Sequence, residues 1–183
     1  GQLQKEKQLV KIEVPVDPYL EIAEIHRRVI EHEGPALLFT NVKGSSFPVV
    51  TNLFGTKARV ELAVGPKPEQ IVKQAVNALP QLLPPKAETL WKHREWLIPL
   101  AKIGFRQISP TKAPVLEVKE TSPDLTKLPA LTSWPDDGGP FVTLPVVYTE
   151  HPVTREHNLG MYRIQIFGPN QTGMHWQIHK GGG

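Results

Sequence analysis

The stretch that decides the fold is residues 140–182, which read PFVTLPVVYTEHPVTREHNLGMYRIQIFGPNQTGMHWQIHKGG. Within it, apolar and polar residues alternate along 141–149, 160–167 and 173–179. Such alternation is typical of strands that pack one face on a core. Because the three segments follow one another closely, we expect them to form an antiparallel meander or the wall of a barrel.

The alternation also assigns the side chains of the last two segments to faces of the sheet. The core face is predicted to hold Tyr162, Ile164, Ile166, Met174, Trp176 and Ile178. The opposite face is predicted to hold Met161, Arg163, Gln165, His175, Gln177 and His179. An arginine with two glutamines and two histidines is an uncommon surface set, and it indicates a ligand. An ordinary sheet with one solvated face fits the same pattern and stays an alternative.

Several of these side chains suit anions or metal ions. On a straight strand, His175 and His179 would lie about 13 Å apart at ~3.3 Å per residue, so they could not share one metal. A metal would need one histidine with oxygen donors such as Asn158 and a carboxylate. The guanidinium of Arg163 suits a phosphate or a carboxylate, and Lys180 before three glycines suits an anion. A solvated histidine, a surface ion pair and a linker are the ordinary alternatives.

The residues upstream predict a layer of helices against a sheet. Strands are expected at 9–14, 36–40 and 47–54, and helices at 17–34, 55–64 and 68–79. This β-α-β-β-α-α order gives a mixed α/β layer, and the whole chain is predicted to be α+β. Next come an irregular connector with a helix at 88–102, a strand at 115–118 and a plain turn at 136–139. We expect two domains, 1–110 and 111–183.

The composition excludes several classes of protein. The chain has 21 basic and 18 acidic residues and a formal charge of +3; without a long basic block, a nucleic-acid partner is not expected. Cysteine is absent, which excludes disulfides and thiolate sites and fits a cytoplasmic location. No apolar run is long enough for a membrane span. Because the chain starts with Gly-Gln and stops on three glycines, we expect a fragment of a longer protein.

Three stretches resemble the UbiD-type carboxy-lyases, the 4-hydroxybenzoate decarboxylase-like family. They are residues 34–65, 133–152 and 158–183, and their most specific parts are NLGMYR, MHW and HKGG. The resemblance implies a decarboxylase of aromatic or α,β-unsaturated carboxylic acids that uses prenylated FMN. It also implies that 111–183 begins a flavin-binding split β-barrel, which this chain leaves incomplete.

The resemblance further implies a role for each residue of the predicted site. Asn158 and His179 match ligands of a divalent metal, usually manganese, that binds the cofactor phosphate, with a monovalent cation such as potassium nearby. Positions that match cofactor contacts are Met161, Tyr162, Arg163, His175, Trp176, Gln177, Lys180 and Gly181. Arg163 also matches the catalytic arginine, which can hold the substrate carboxylate and lower the pKa of a neighbouring carboxyl.

In the family chemistry the substrate bonds to the prenylated flavin, CO₂ leaves, and a glutamic acid returns a proton. Both catalytic glutamates and a third metal ligand lie downstream of the matched region in the family, and Glu150 and Glu156 do not replace them. We therefore expect residues 1–183 alone to be inactive and to bind the cofactor weakly or not at all. A prenyltransferase that supplies the cofactor, and a homo-oligomer of the full-length protein, are implied as well.

Other functions remain open on the sequence. A non-catalytic interaction module derived from this family would keep the α/β layer and lack the downstream glutamates. A plain FMN-binding split-barrel oxidoreductase would need neither manganese nor a prenyltransferase. A nucleic-acid module fits least, because the aromatic residues do not alternate with a basic stripe.

Overall fold

The computed structural model describes residues 1–65, 67–82, 87–101 and 108–182 of the 183-residue chain. These residues form two compact units. Gly1–Arg59 and Thr121–Gly183 make the first unit, and Val60–Glu120 makes the second. The division into domains at 1–110 and 111–183 stays a prediction.

A three-stranded sheet lies in the first unit. After a short helix α1 (Gln2–Lys5), which was not predicted, come strands β1 (Leu9–Ile12), β2 (Ala36–Phe39) and β3 (Val49–Thr51), in the order β1-β2-β3. Helix α2 (Glu21–Glu31) connects β1 to β2, and these strands run parallel, whereas β2 and β3 are antiparallel. The predicted strand-helix-strand-strand order is confirmed, with shorter strands.

Apolar side chains of α2 and of the sheet form the core of this unit. Its buried members are Val16, Ile22, Leu37, Phe39 and Val42. Helix α2 turns Ile22, Ile25 and Val29 towards them, because positions three and four residues apart share one helical face. Burying side chains of this size stabilises a fold by about 1.5–3 kcal/mol each, so this packing holds the sheet and the helix together.

Helix α2 begins later than predicted. The sequence placed its start at Asp17 and Pro18, and the helix begins at Glu21. The residues between pair with a distant loop instead: Leu20 N–H donates to the Thr132 carbonyl at 3.0 Å, and Thr132 N–H donates to the Pro18 carbonyl at 3.2 Å. These two hydrogen bonds attach the loop around Thr132 to the residues just before α2.

The stretch that decides the fold forms two small antiparallel sheets. Strands β4 (Phe141–Val142), β7 (Ile164–Gly168) and β8 (Gln171–Met174) make one, in the order β4-β7-β8, and β5 (Val146–Glu150) pairs with β6 (His157–Met161) in the other. The expected antiparallel pairing is confirmed. None of the sheets formed by the described residues closes on itself, and the split barrel stays a prediction.

Two of the predicted strands are interrupted. The first, 141–149, is divided into β4 and β5. Pro145 lies in the gap, and its nitrogen has no hydrogen to give to a ladder. The second, 160–167, is divided at Tyr162 and Arg163, which lie between β6 and β7. These two residues are therefore free of regular pairing and can direct their side chains differently from a strand.

The third predicted strand, 173–179, is wrong beyond Met174, where β8 ends. The chain then turns, and Lys180 N–H donates to the Gln177 carbonyl at 3.0 Å. The core positions predicted for Trp176 and Ile178 are wrong as well, since these residues are 48% and 97% exposed.

The second unit is helical. Its helices are α4 (Lys67–Leu82), α5 (Ala87–Lys92) and α6 (Arg94–Ala101), preceded by α3 (Lys57–Val64), which begins in the first unit. The predicted helices at 55–64 and 68–79 are confirmed, and the one at 88–102 is divided into two, with its last residue outside the described residues. The predicted strand at 115–118 is wrong, because Pro114–Leu116 forms a 3₁₀ helix. In the parts of the chain that the structure covers, none of the helices is both long and apolar enough to cross a membrane.

Candidate functional site

The residues of the predicted site lie in two segments of the first unit, 158–163 and 175–182. The pairing of β7 with β8 brings these segments together, because Ile164 at the start of β7 lies opposite Met174 at the end of β8. The residue before β7 therefore lies beside the residue after β8. Accordingly, His175 N–H donates to the Arg163 carbonyl at 3.0 Å.

Tyr162 is the centre of the contacts between the two segments, and it is 3% exposed. Its hydroxyl accepts a hydrogen bond from Asn158 Nδ2 at 3.1 Å and another from Gly182 N–H at 2.7 Å. Its ring packs against Trp176, with the ring centroids 5.2 Å apart and the planes at 53°. We name this group the tyrosine cluster; its members are Asn158, Tyr162, Trp176, Lys180, Gly181 and Gly182.

The two glycines of the tyrosine cluster allow the backbone to approach the other members closely. A Cβ added to Gly181 would lie 2.9 Å from Asn158 Oδ1, and one added to Gly182 would lie 2.6 Å from the Tyr162 hydroxyl oxygen. Real Cβ atoms essentially never make contacts this short. Glycine is therefore required for the backbone to pass over the tyrosine as it does here.

Lys180 supplies the positive charge of the tyrosine cluster. Its Nζ lies 5.6 Å from the centroid of the Tyr162 ring and donates to the Met161 carbonyl at 3.4 Å. The residue is otherwise exposed. An exposed ammonium is suited to an anionic ligand such as a phosphate.

An open pocket of about 520 Å³ adjoins the tyrosine cluster. Its lining residues are Trp176, Gln177, Ile178 and Gly182. Two of the predicted cofactor-contacting residues, Trp176 and Gln177, thus border one space. The volume lies in the range of small-molecule and cofactor sites.

Arg163 faces a different partner from the rest of the site. Its Nη1 donates to Asp137 Oδ1 at 3.0 Å, and its Nη2 donates to Oδ2 of the same carboxylate. The guanidinium carbon lies 3.5 Å from the centroid of the Phe141 ring. The hydrogen bonds from Arg163 hold the pKa of Asp137 below its ordinary value, because they favour the charged carboxylate.

The two predicted metal ligands lie at different places around Gly181. Asn158 is half-buried, and its Oδ1 faces the Gly181 backbone. His179 lies in the turn before Gly181 and is exposed, as is His175. Over the described residues, no three His, Cys, Asp or Glu side chains gather as a metal site would require. An amide oxygen and an imidazole are suitable donors, but they are an incomplete set, and the metal stays a prediction.

The sequence reasoning missed Asp137. The turn at 136–139 was predicted to be a plain turn, yet its second aspartate pairs with the predicted catalytic arginine. The register of β4 with β7 does not by itself explain the contact, because Phe141 lies opposite Gln165 and the antiparallel pairing carries the residue after β4, not the turn before it, towards Arg163. The turn instead folds back over β7, where the Gly138 carbonyl accepts a hydrogen bond from Gln165 Nε2. The sequence carried no signal for this fold of the turn.

The chain matches two protein-family models. Residues 1–79 match the 3-octaprenyl-4-hydroxybenzoate carboxy-lyase N-terminal domain, and residues 106–183 match the 3-octaprenyl-4-hydroxybenzoate carboxy-lyase Rift-related domain. Together the two matches take in most of the chain. The second contains every residue of the tyrosine cluster.

Two relatives match nearly the whole chain. An uncharacterized protein from Chlamydia caviae is 52% identical over 181 residues, which are 99% of this chain and 30% of the relative. A 4-hydroxybenzoate decarboxylase subunit from Chlamydia pneumoniae is 49% identical over 178 residues, which are 97% of this chain and 30% of the relative. The chain thus spans about 30% of the length of these relatives.

The fold is similar to that of the UbiD-class enzyme HmfF from Pelotomaculum thermopropionicum. Its structure in complex with FMN has a TM-score of 0.73 at 26% identity, over 97% of this chain and 36% of that chain. An evolved dimeric form in complex with prFMN gives the same TM-score and identity, over 97% of this chain and 37% of that chain.

The matches agree with one another at three levels. The family models cover both halves of the sequence, the Chlamydia pneumoniae relative carries a decarboxylase name, and the similar folds are of UbiD-class enzymes. The chain therefore belongs to the UbiD family of carboxy-lyases.

Proposed function

We propose that residues 1–110 and 111–183 are the N-terminal domain and the start of the flavin-binding split barrel of a decarboxylase. The proposed enzyme uses prenylated FMN and acts on aromatic or α,β-unsaturated carboxylic acids. The observation that carries the proposal is the tyrosine cluster, in which an amide, a ring pair, an ammonium and two glycines gather from two segments. The decarboxylase name of one relative and the FMN and prFMN bound to HmfF support it.

The tyrosine cluster fits the cofactor in chemical type. The exposed ammonium of Lys180 suits its phosphate. Trp176 and Gln177, which border the pocket, are proposed to contact the rest of the cofactor. The other proposed cofactor contacts are Met161, Tyr162, Arg163 and His175. Prenylated FMN, when bound, would supply the electron sink for the decarboxylation.

Asn158 and His179 are the proposed ligands of a divalent metal, manganese in the first instance, with potassium as the monovalent ion nearby. Asn158 Nδ2 is engaged by Tyr162, which leaves its Oδ1 for a cation. The described residues offer an incomplete ligand set. We therefore propose that a glutamate outside these 183 residues completes the site.

Arg163 is the proposed catalytic residue, because a guanidinium can hold the carboxylate of the substrate by paired hydrogen bonds. The proton returned after CO₂ leaves is proposed to come from a glutamic acid outside these 183 residues. Residues 1–183 alone are accordingly proposed to be inactive. The full-length protein is proposed to be a cytoplasmic homo-oligomer that receives its cofactor from a flavin prenyltransferase.

The test uses the full-length protein, at the length of its relatives, co-expressed with a flavin prenyltransferase. We expect prenylated FMN by mass spectrometry, manganese by elemental analysis, and CO₂ release from a panel of aromatic acids that includes 4-hydroxybenzoate. FMN without prenylation or manganese would favour the oxidoreductase alternative. A protein that retains no flavin and releases no CO₂ would favour the interaction module. The same assay on residues 1–183 should show no CO₂ release.

A further inference from the structure

Asp137 is a buried carboxylate with no role in the function proposed above. Its side chain is 7% exposed, compared with 31% for that of its partner Arg163. Removing a carboxylate from water costs several kcal/mol unless it is paired and hydrogen-bonded. Here both oxygens are bonded to the guanidinium, and Ser133 N–H lies 3.4 Å from Oδ2 as a further donor.

The turn that carries Asp137 is held onto strand β7 at a second point. Gln165 Nε2 donates to the Gly138 carbonyl, and Asp137 N–H donates to the Trp134 carbonyl at 3.1 Å. The Arg163 guanidinium also lies over the Phe141 ring. The position of the carboxylate is therefore set by the backbone of the turn and by the Gln165 side chain of β7, and the arginine is held between a carboxylate and a ring.

The geometry of this ion pair leaves one edge of the guanidinium without a partner among the described residues. Asp137 takes the two terminal nitrogens, Nη1 and Nη2. An arginine has five N–H donors in one plane. Nε–H and the Nη2 hydrogen on the same side of the group point in the same direction, so they form a second pair of donors, or fork, beside the one that Asp137 occupies. Within the part of the chain that the structure describes, the hydrogen bonds of the Arg163 side chain run from Nη1 and Nη2, and none runs from Nε. This second fork matches the two oxygens of another carboxylate.

We propose that Asp137 is a positioning residue: it holds Arg163 by the terminal nitrogens so that the Nε edge binds the carboxylate of the acid substrate. This inference rests on the proposed function for the identity of the substrate. The ion pair of Arg163 and Asp137 as a whole carries no net charge. The substrate carboxylate is therefore held by the fork geometry and not by an unpaired charge, which would oppose its conversion to neutral CO₂.

The first experiment needs neither cofactor nor activity. In the 183-residue chain, the side-chain Nε–H signal of Arg163 is followed by ¹H–¹⁵N NMR below neutral pH, assigned by its loss in Arg163→Lys, while sodium benzoate is added. We expect the signal to shift on addition of benzoate in the wild type and in Asp136→Asn, a control at the exposed neighbouring aspartate. In Asp137→Asn the shift should be lost, with the backbone spectrum otherwise retained.

The inference is overturned if benzoate leaves the wild-type Arg163 signal unchanged, or if the shift is the same in Asp137→Asn. The wild-type measurement can overturn the inference even if Asp137→Asn does not fold. In the cofactor-loaded full-length protein, Asp137→Asn should lower kcat/KM about tenfold, with kcat falling as well, because Arg163 loses its orientation and its charge is no longer neutralised while the substrate carboxylate becomes neutral CO₂. Absence of any wild-type turnover would count against the proposed function, whereas the NMR result would still decide the role of Asp137.

Discussion

The amide of Asn158 and the hydroxyl of Tyr162 are joined by a hydrogen bond of 3.1 Å, which fixes the atom of the amide that is left for a ligand. Nδ2 is the donor, so Oδ1 lies on the side of Gly181. Tyr162 is buried and packs on Trp176, so its hydroxyl is a rigid anchor for the amide. The predicted metal ligand is therefore oriented by the protein itself.

Replacing Tyr162 with phenylalanine should lower the free energy of unfolding by about 1–3 kcal/mol, because two donors, Asn158 Nδ2 and Gly182 N–H, lose their acceptor. Urea unfolding followed by tryptophan fluorescence measures the change. The matched control is Tyr148→Phe, which removes an exposed hydroxyl bonded to Glu150. That control should change the stability by less than about 0.5 kcal/mol. An equal decrease in the free energy of unfolding in the two variants would contradict the central role given to Tyr162.

Replacing Gly182 with alanine should loosen the turn over Tyr162. The added Cβ would lie 2.6 Å from the hydroxyl oxygen and 2.7 Å from the Cζ atom of a buried ring that cannot easily move. We expect the amide hydrogen of residue 182 to exchange about five- to tenfold faster, as for the loss of a hydrogen bond worth about 1 kcal/mol. Gly168→Ala is the control, because nothing lies within 4 Å of its added Cβ. Unchanged exchange in Gly182→Ala would show that the turn tolerates a side chain.

The β-α-β-β-α-α order could be predicted because it depends on local patterns, but the end of the last strand could not. Residues 175–179 alternate as well as any strand, yet a strand also needs a partner. The partner β7 begins at Ile164, which already pairs with Met174, so among the described residues the pairing continues past that point only as the hydrogen bond from His175 N–H to the Arg163 carbonyl. The segment turns instead, and this turn carries Lys180 to Tyr162.

The sequence was sufficient to select most residues of the site, but it did not predict all the contacts between them. Asn158, Tyr162, Trp176 and Lys180 could be selected from the sequence, and the structure brings them together. The pairing of Arg163 with Asp137 joins residues 26 positions apart. It depends on how the turn at 136–139 folds back over β7, which no local pattern determines.

Asp137 should make part of the stability depend on pH. Hydrogen bonds from Arg163 lower its pKa from the ordinary 3.8, so the folded state favours the carboxylate. The resulting stabilisation is present above pH 3.8 and is lost as the pH falls through the lower pKa of the folded state. Urea unfolding between neutral and acid pH should show a shallower fall in stability for Asp137→Asn than for the wild type. Asp136→Asn should keep the wild-type slope, and a steeper fall in Asp137→Asn would reverse the assigned sign.

Lys180 should contribute to cofactor affinity in the full-length protein. If its ammonium contacts the phosphate, Lys180→Gln removes a charge-assisted hydrogen bond and should weaken FMN binding about ten- to a hundredfold. Flavin fluorescence titration measures the Kd at several salt concentrations. Because the lost interaction is between charges, the difference between wild type and variant should shrink as salt is added. Lys119→Gln, at an exposed lysine of the second unit, should bind FMN as the wild type does. A difference that persists undiminished at high salt would mean that Lys180 acts through its contacts with Tyr162 and Met161, by holding the turn, and not through its charge.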